Sequence, residues 1–242
     1  MKKLLIILIC LGFSGCATVP QPDKGIVPYV ANFNYTPEKQ AAPSGEITFT
    51  LINTAFETQN HIMWFLSPQF ENLPKALKED LPEIIVAKGF NILGPYDTYD
   101  LIPFSDKKKI DFLLIPKFKL IISLKDPKAE LESMWTAPPV HDLSGEVLVN
   151  GEITIELREI VTRELMWVKT IPFKESAFPY FFRIPSYAEG SPFNYALVMN
   201  DIVKAVEQQY PDIMGTVYSL LDPEEMKIMK KQAQDIKSKQ GY

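Results

Sequence analysis

The stretch 146-EVLVNGEITIELR-158 decides the fold class. Val147, Val149, Ile153, Ile155 and Leu157 fall on one side of an extended chain, and Glu146, Glu152, Glu156 and Arg158 on the other. Successive side chains of a strand point to opposite faces, so the segment predicts a strand with one dry and one wet face, the pattern of an antiparallel sheet. Residues 165–173 (LMWVKTIPF) follow after a short turn and complete a predicted hairpin. Upstream, 112–124 (FLLIPKFKLIISL) is apolar at Phe112, Leu113, Leu114 and Ile115, and then alternates Phe118, Leu120, Ile122 and Leu124 with Lys117, Lys119 and Ser123. Pro116 inside it predicts an edge strand or a bulge, because proline donates no ladder hydrogen bond. Asp126-Pro127 is the expected end.

Working outward, Val27, Tyr29, Ala31, Phe33 and Tyr35 alternate as a further strand, residues 47–52 as another and residues 90–93 as a short one closed by Gly94-Pro95. Residues 54–69 give no clear period. Leu73, Leu77, Leu81, Ile84 and Ile85 recur at helical spacing; Asn72 is a candidate cap, Gly89 a natural stop and Pro82 a kink or restart. Tyr195, Val198, Ile202, Val206, Tyr210, Ile213 and Val217 mark a long helix that Pro211 should kink or split. Asp222-Pro223-Glu224-Glu225 opens a last helix, whose narrow stripe (Met226, Met229, Ala233, Ile236) suits a surface position or a partner. The order is β-β-α-β, three strands, α-α. This predicts an α+β fold: a single domain with a mixed, largely antiparallel sheet covered by helices on one side, and two C-terminal helices.

The first sixteen residues, MKKLLIILICLGFSGC, read as a bacterial lipoprotein export signal: Lys2 and Lys3, an apolar run, then small residues before Cys16. The run is too short for the roughly 20 residues that span a bilayer. The expected organisation is a signal peptide over 1–15, a lipidated tether over 16–26 and an α+β envelope domain over 27–242. Cys16 is the expected lipidation site, carrying the acyl chains that attach the protein to the membrane. Ala17 after it directs the expectation to the bacterial outer membrane, with the surface or periplasmic face open. Ten tether residues extend at most about 33 Å.

The chain has 25 Lys+Arg against 30 Asp+Glu, a net charge of −5. Without Lys2 and Lys3 the balance is 23 against 30, or −7. An acidic body argues against nucleic acid as a partner. Both cysteines, Cys10 and Cys16, lie at the N-terminus, so a folded domain has neither disulfide nor thiol chemistry. His61 and His141 are far apart in sequence, and nucleophile elbows, phosphate loops and paired metal-ligand motifs are missing. No catalytic residue, metal or cofactor is expected. Binding is the alternative chemistry, and aromatics in irregular segments are its trace. Residues 174–194 read as a long loop holding Phe178, Tyr180, Phe182 and Tyr187; Trp135 stands in a second such segment, 127–142.

Asn34-Tyr35-Thr36-Pro37, residues 84–92 with Lys88-Gly89-Phe90, Asp126-Pro127-Lys128, Asn200-Asp201-Ile202 and a lysine-rich terminal helix follow one another in a familiar order. In these the chain resembles the neuraminyllactose-binding haemagglutinin (HpaA-type) lipoproteins. The resemblance implies a non-enzymatic surface antigen or adhesin-like protein with a host glycan or protein as ligand; a periplasm-facing lipoprotein docking an envelope protein complex is the alternative. The family's sialic-acid motif follows its Asp-Pro. Here that run is Lys128-Ala129-Glu130-Leu131-Glu132-Ser133, in which only Lys128 matches and two glutamates would repel a sialate.

Overall fold

A computed structural model describes residues 28–38, 46–58, 64–133, 140–185 and 198–239. Its seven strands, β1 (Thr48–Leu51), β2 (Ala55–Thr58), β3 (Asn91–Ile92), β4 (Phe112–Ser133), β5 (Val140–Glu159), β6 (Leu165–Pro172) and β7 (Ser176–Pro185), form one open mixed sheet. β3, β1 and β4 run parallel, as do β2 and β4. The β4–β5 hairpin is antiparallel and much the longest pairing; the far edge of β5 meets β6 along its second half and β7 along its first. The chain is thus an α+β single domain with a predominantly antiparallel ladder, as the 146–158 alternation requires.

That alternation separates two faces. Leu114, Phe118 and Ile122 stand opposite Leu157, Ile153 and Val149, all buried in the main core. On the reverse face Lys117 pairs with Glu156, Arg158 with Glu156 at 2.9 Å, Lys119 with Glu152 at 3.7 Å and Lys125 with Glu146 at 3.3 Å. A smaller core of Ile102, Ile110, Leu113 and Ile160 closes one end of that face.

Two helices cover the main core, α1 (Leu73–Ala87) and α3 (Met199–Leu220); α2 (Phe104–Lys107) is a single turn and α4 (Pro223–Lys239) ends the described chain. α1 stops where Gly89 takes φ +84°, as expected of a helix end. Asn72, however, is not a side-chain cap: its amide donates to the Ala31 carbonyl at 3.0 Å. Neither Pro82 nor Pro211 splits its helix. Each proline leaves one carbonyl of the preceding turn without its helical donor, a cost that tertiary packing outweighs.

Three expectations are corrected. Residues 30–37 alternate in burial but join no strand, and Tyr29 is exposed; Ala31 and Phe33 enter the core while Glu207 of α3 accepts from the Tyr29 hydroxyl at 2.6 Å and the Asn32 amide at 2.7 Å. An extended segment can satisfy its backbone from helix side chains as well as from a ladder. Asp126-Pro127 does not end β4. Asp126 takes φ +50° and the register shifts between Lys125 and Lys128, so the pair is a bulge inside a strand that continues to Ser133. Finally, α4 docks on its own sheet: Met226, Met229 and Ala233 are buried, and Lys230 and Lys237 reach Asp111 at 3.0 Å and Glu159 at 2.9 Å. Its start is as expected, with Asp222 Oδ1 accepting from the Glu224 and Glu225 amides, each at 2.9 Å.

Candidate functional site

Pro116 is neither on an edge strand nor in a bulge of its β5 pairing; it lies in the middle of the sheet, where the neighbouring ladder is broken. β1 pairs with β4 only as far as Leu114, and β2 resumes at Lys117. The missing N–H thus falls where no partner strand runs. Residues 52–54 join β1 to β2 at this break, with Ile52 bridging Tyr96. Ile52 donates to the Leu114 carbonyl at 3.4 Å, Asn53 to the Tyr96 carbonyl at 3.2 Å, and Tyr96 to the Leu51 carbonyl at 2.9 Å.

A trough of about 350 Å³ lies between this junction and α1. Leu51, Leu77 and Leu81 lie buried beneath it, half-buried Phe56 flanks it, and Pro74, Pro82 and Pro95 border it. On α1 the residues facing the trough recur at Pro74, Leu77/Lys78 and Leu81/Pro82, one helix face. Lys75 and Lys78 stand at its mouth, 74% and 52% exposed, with loose acidic partners in Glu79 at 4.0 Å and Asp97 at 3.7 Å. The volume lies at the small end of ligand pockets, roughly 300–1,000 Å³. The sequence reading missed this site. Its one early signal was Pro116, a proline within the most apolar strand.

The aromatic candidates are placed differently. Residues 176–185, expected as loop, are β7. Pro179 and Pro185 are tolerated there because β7 is an outer strand, paired among the described residues with β5 alone. Phe178 is partly buried against the core and Tyr180 is 6% exposed, in register with Gly145. A Cβ on Gly145 would lie 2.8 Å from the Tyr180 hydroxyl, and its φ of +154° also favours glycine. Phe182 pairs with Leu143 through the β7 backbone. Lys128 is exposed on the outer part of β4, in register with Ser144. Trp135, Tyr187 and Cys16 lie outside the described residues, as does His61. The candidates therefore do not converge on one site among the described residues.

Other ionisable groups have structural partners. Asp80 of α1 and Tyr210 of α3, 4% and 1% exposed, share a 2.8 Å hydrogen bond. Burial pushes the Asp80 carboxyl up to about 6, against the pull of the Tyr210 hydroxyl and the Tyr35 amide. The Tyr210 hydroxyl is pushed up by burial and by Asp80. Glu159 is fully buried; burial alone would raise it, but the Thr162 and Val161 amides and the Lys237 ammonium hold it below the usual carboxylate range. Among the described residues no three His, Cys, Asp or Glu side chains cluster as metal ligands, and no helix is long and apolar enough to cross a membrane.

No protein-family model matches this chain, and no curated protein matches it. Among solved structures it is similar to a neuraminyllactose-binding hemagglutinin homolog from Helicobacter pylori, at 15% identity and a TM-score of 0.58, covering 83% of this chain and 98% of that one. The two share a fold. A Xanthomonas campestris protein (11% identity, 86% and 99% covered, TM-score 0.32) and a lipoprotein from Neisseria meningitidis (10%, 67% and 96%, 0.29) overlap much less closely. These two carry no argument.

Proposed function

We propose that this chain is a lipid-anchored lipoprotein of a bacterial outer membrane that acts by binding, as an adhesin-like surface antigen, and not by catalysis. The observation that carries the reading is the sequence LGFSGC ending at Cys16, followed by an acidic body without cysteine. The fold shared with the Helicobacter pylori hemagglutinin homolog supports the same class. From Cys16 to Val27 twelve residues extend at most roughly 40 Å, so an acylated Cys16 would hold the body close to the bilayer. The body's first described residues are pinned to α3: the Tyr29 amide donates to Asn200 at 2.9 Å and the Tyr29 hydroxyl to Glu207 at 2.6 Å. The ligand-contacting surface proposed is the trough between α1 and the broken edge of the sheet.

Labelled palmitate tests the anchor. The wild-type chain should incorporate label and sediment with outer membranes, and Cys16→Ser should lose both. Label retained in that variant, or a wild-type chain of unmodified mass, rejects the anchor. Protease treatment of intact cells then tests display: cleavage without lysis is expected, and complete protection places the body inside.

A further inference from the structure

The smaller core on the reverse face of the sheet carries an apolar tip. Ile102 and Ile110, 3% and 1% exposed, hold residues 99–110 down on the sheet. Two hydroxyls fix the same segment: Tyr99 donates to the Ile160 carbonyl at 2.9 Å and Tyr96 to Asp106 at 2.8 Å. From this rigid base Leu101 and Phe104 stand outward, 61% and 65% exposed, with exposed Pro103 between them. The cations of the region sit beside the tip. The Lys107 ammonium lies 3.8 Å and the Arg163 guanidinium 4.6 Å from the Tyr99 ring centre, and the Lys108 ammonium 4.9 Å from that of Phe104. Among the described residues neither Lys107, Lys108, Lys109 nor Arg163 is in an ion pair. Over 99–110 and 163–164 these four face three acids, Asp100, Asp106 and Glu164, a local +1 in a chain of net −5.

Such a tip is small for a protein partner. Leu101 and Phe104 expose roughly 250 Å², against about 800 Å² per partner in a stable protein interface. A bilayer needs no matching surface. Two apolar side chains can enter its hydrocarbon boundary while the Tyr99 ring and the ammonium groups stay at head-group level. Anionic lipid repels the acidic remainder of the body, so charge selects the cationic tip as the side that approaches. We propose that Leu101 and Phe104 insert into an anionic phospholipid bilayer, the one that carries the anchor, with Lys107, Lys108, Lys109 and Arg163 at its phosphates. The tether, at most roughly 40 Å long, exceeds the roughly 20 Å of one sheet with one helix layer, so tip and anchor can meet the same membrane. Because α1 covers the opposite side of the sheet, the trough then faces away from the lipid. The inference rests on the anchored reading only for which bilayer is met.

The test sediments the full chain carrying Cys16→Ser, which has no acyl group of its own, with vesicles of phosphatidylethanolamine and phosphatidylglycerol. The protein should come down with them, and less with pure phosphatidylcholine. Leu101→Glu with Phe104→Glu, both at exposed positions, should lower partition by at least about tenfold with thermal unfolding unchanged. Lys108→Ala and Lys109→Ala should each lower it about fivefold, the value of one basic residue at an anionic surface. Phe104→Trp should add an emission that moves to the blue on the vesicles and is quenched by lipids brominated in the acyl chain. Absence of sedimentation, full partition of the double glutamate variant, equal partition into phosphatidylcholine, or an added indole that bromine does not quench would each overturn the proposal. Dimerisation of the chain that the double variant abolishes would assign the tip to a second copy and overturn it too. Palmitate incorporation is measured separately, so failure of the anchor and failure of the tip are told apart.

Discussion

At the junction of α1, α3 and the N-terminal segment, Asp80 is 4% exposed and accepts from one hydroxyl, on Tyr210, and one amide, on Tyr35. At the end of β5, Glu159 is 0% exposed, yet it accepts from the Val161 amide at 2.9 Å and the Thr162 amide and faces Lys237 at 2.9 Å. Burial penalises both charges. Two neutral donors do not offset it at Asp80, where Glu83 and Glu79 add further negative charge, and the carboxyl rises to about 6. Backbone amides and a cation more than offset it at Glu159. What a buried carboxylate does to a fold is therefore set by the number and charge of its donors rather than by its depth. One junction ties residues 28–38 to the helices, the other clamps α4 to the sheet, and only the second is built to hold a charge.

Removing Glu159 is the severest way to break this contrast. Glu159→Ala leaves Lys237 without its acid and the Val161 and Thr162 amides without acceptors, and should cost about 3–5 kcal/mol in urea unfolding. A loss below 1 kcal/mol would mean that α4 is held by Met226, Met229, Ala233 and the Lys230–Asp111 pair without need of Glu159.

The pH dependence sharpens the contrast, because the two acids act with opposite sign. Asp80 is raised from 3.8 to about 6, so the folded state binds the extra proton between those values. Stability from the neutral form is full below the unfolded value and is lost as pH rises toward 6. Glu159 is lowered from 4.5, so its contribution is full above that value and is lost as pH falls through the folded one. Stability from these two acids should therefore be greatest just below pH 4.5 and already be falling at pH 5. Asp80→Asn should flatten the fall on the neutral side and stabilise the protein at pH 7 by on the order of 2 kcal/mol. A wild-type stability that is flat between pH 5 and 7 contradicts this assignment.

Tyr210→Phe takes from Asp80 the hydroxyl that lowers it. It should cost about 1 kcal/mol and move the neutral-side transition to higher pH; an unmoved transition would leave burial, the Tyr35 amide, Glu83 and Glu79 in control. On the wet face of the sheet, Lys119→Ala removes a 3.7 Å pair with Glu152 and should change stability by less than about 0.5 kcal/mol. A larger loss there would make the surface ladder part of the scaffold.

Much of the fold was legible in the chain. The 146–158 period predicted the wet and dry faces, the 165–173 run its hairpin partner, and the Leu73 to Ile85 spacing α1, because each pattern is local and repeats with the backbone geometry. Residues 30–37 show the limit of the same reasoning. Their period of two was real, but a period reports which side chains are buried and not what buries them. β7 was hidden for a related reason: Pro179 and Pro185 resemble loop punctuation unless the strand is known to be an outer one. The trough was the least legible feature, since it needs the gap between β1 and β2 to fall opposite Pro116 and beside α1.

By itself, then, the sequence determined the acidic, cysteine-free composition beyond Cys16, the two faces of the long hairpin, the helix stop at Gly89 and the helix start at Asp222. Each depends on residue type and on neighbours a few positions away. Tertiary structure alone decided that the ladder breaks beside a central proline, that one buried acid is charged while the other is poised to take a proton, and that α4 returns to its own sheet. Those outcomes depend on groups brought together from distant parts of the chain, such as Asp80 with Tyr210 and Glu159 with Lys237. No local period encodes such a meeting, because its energy arises only once the intervening chain has folded.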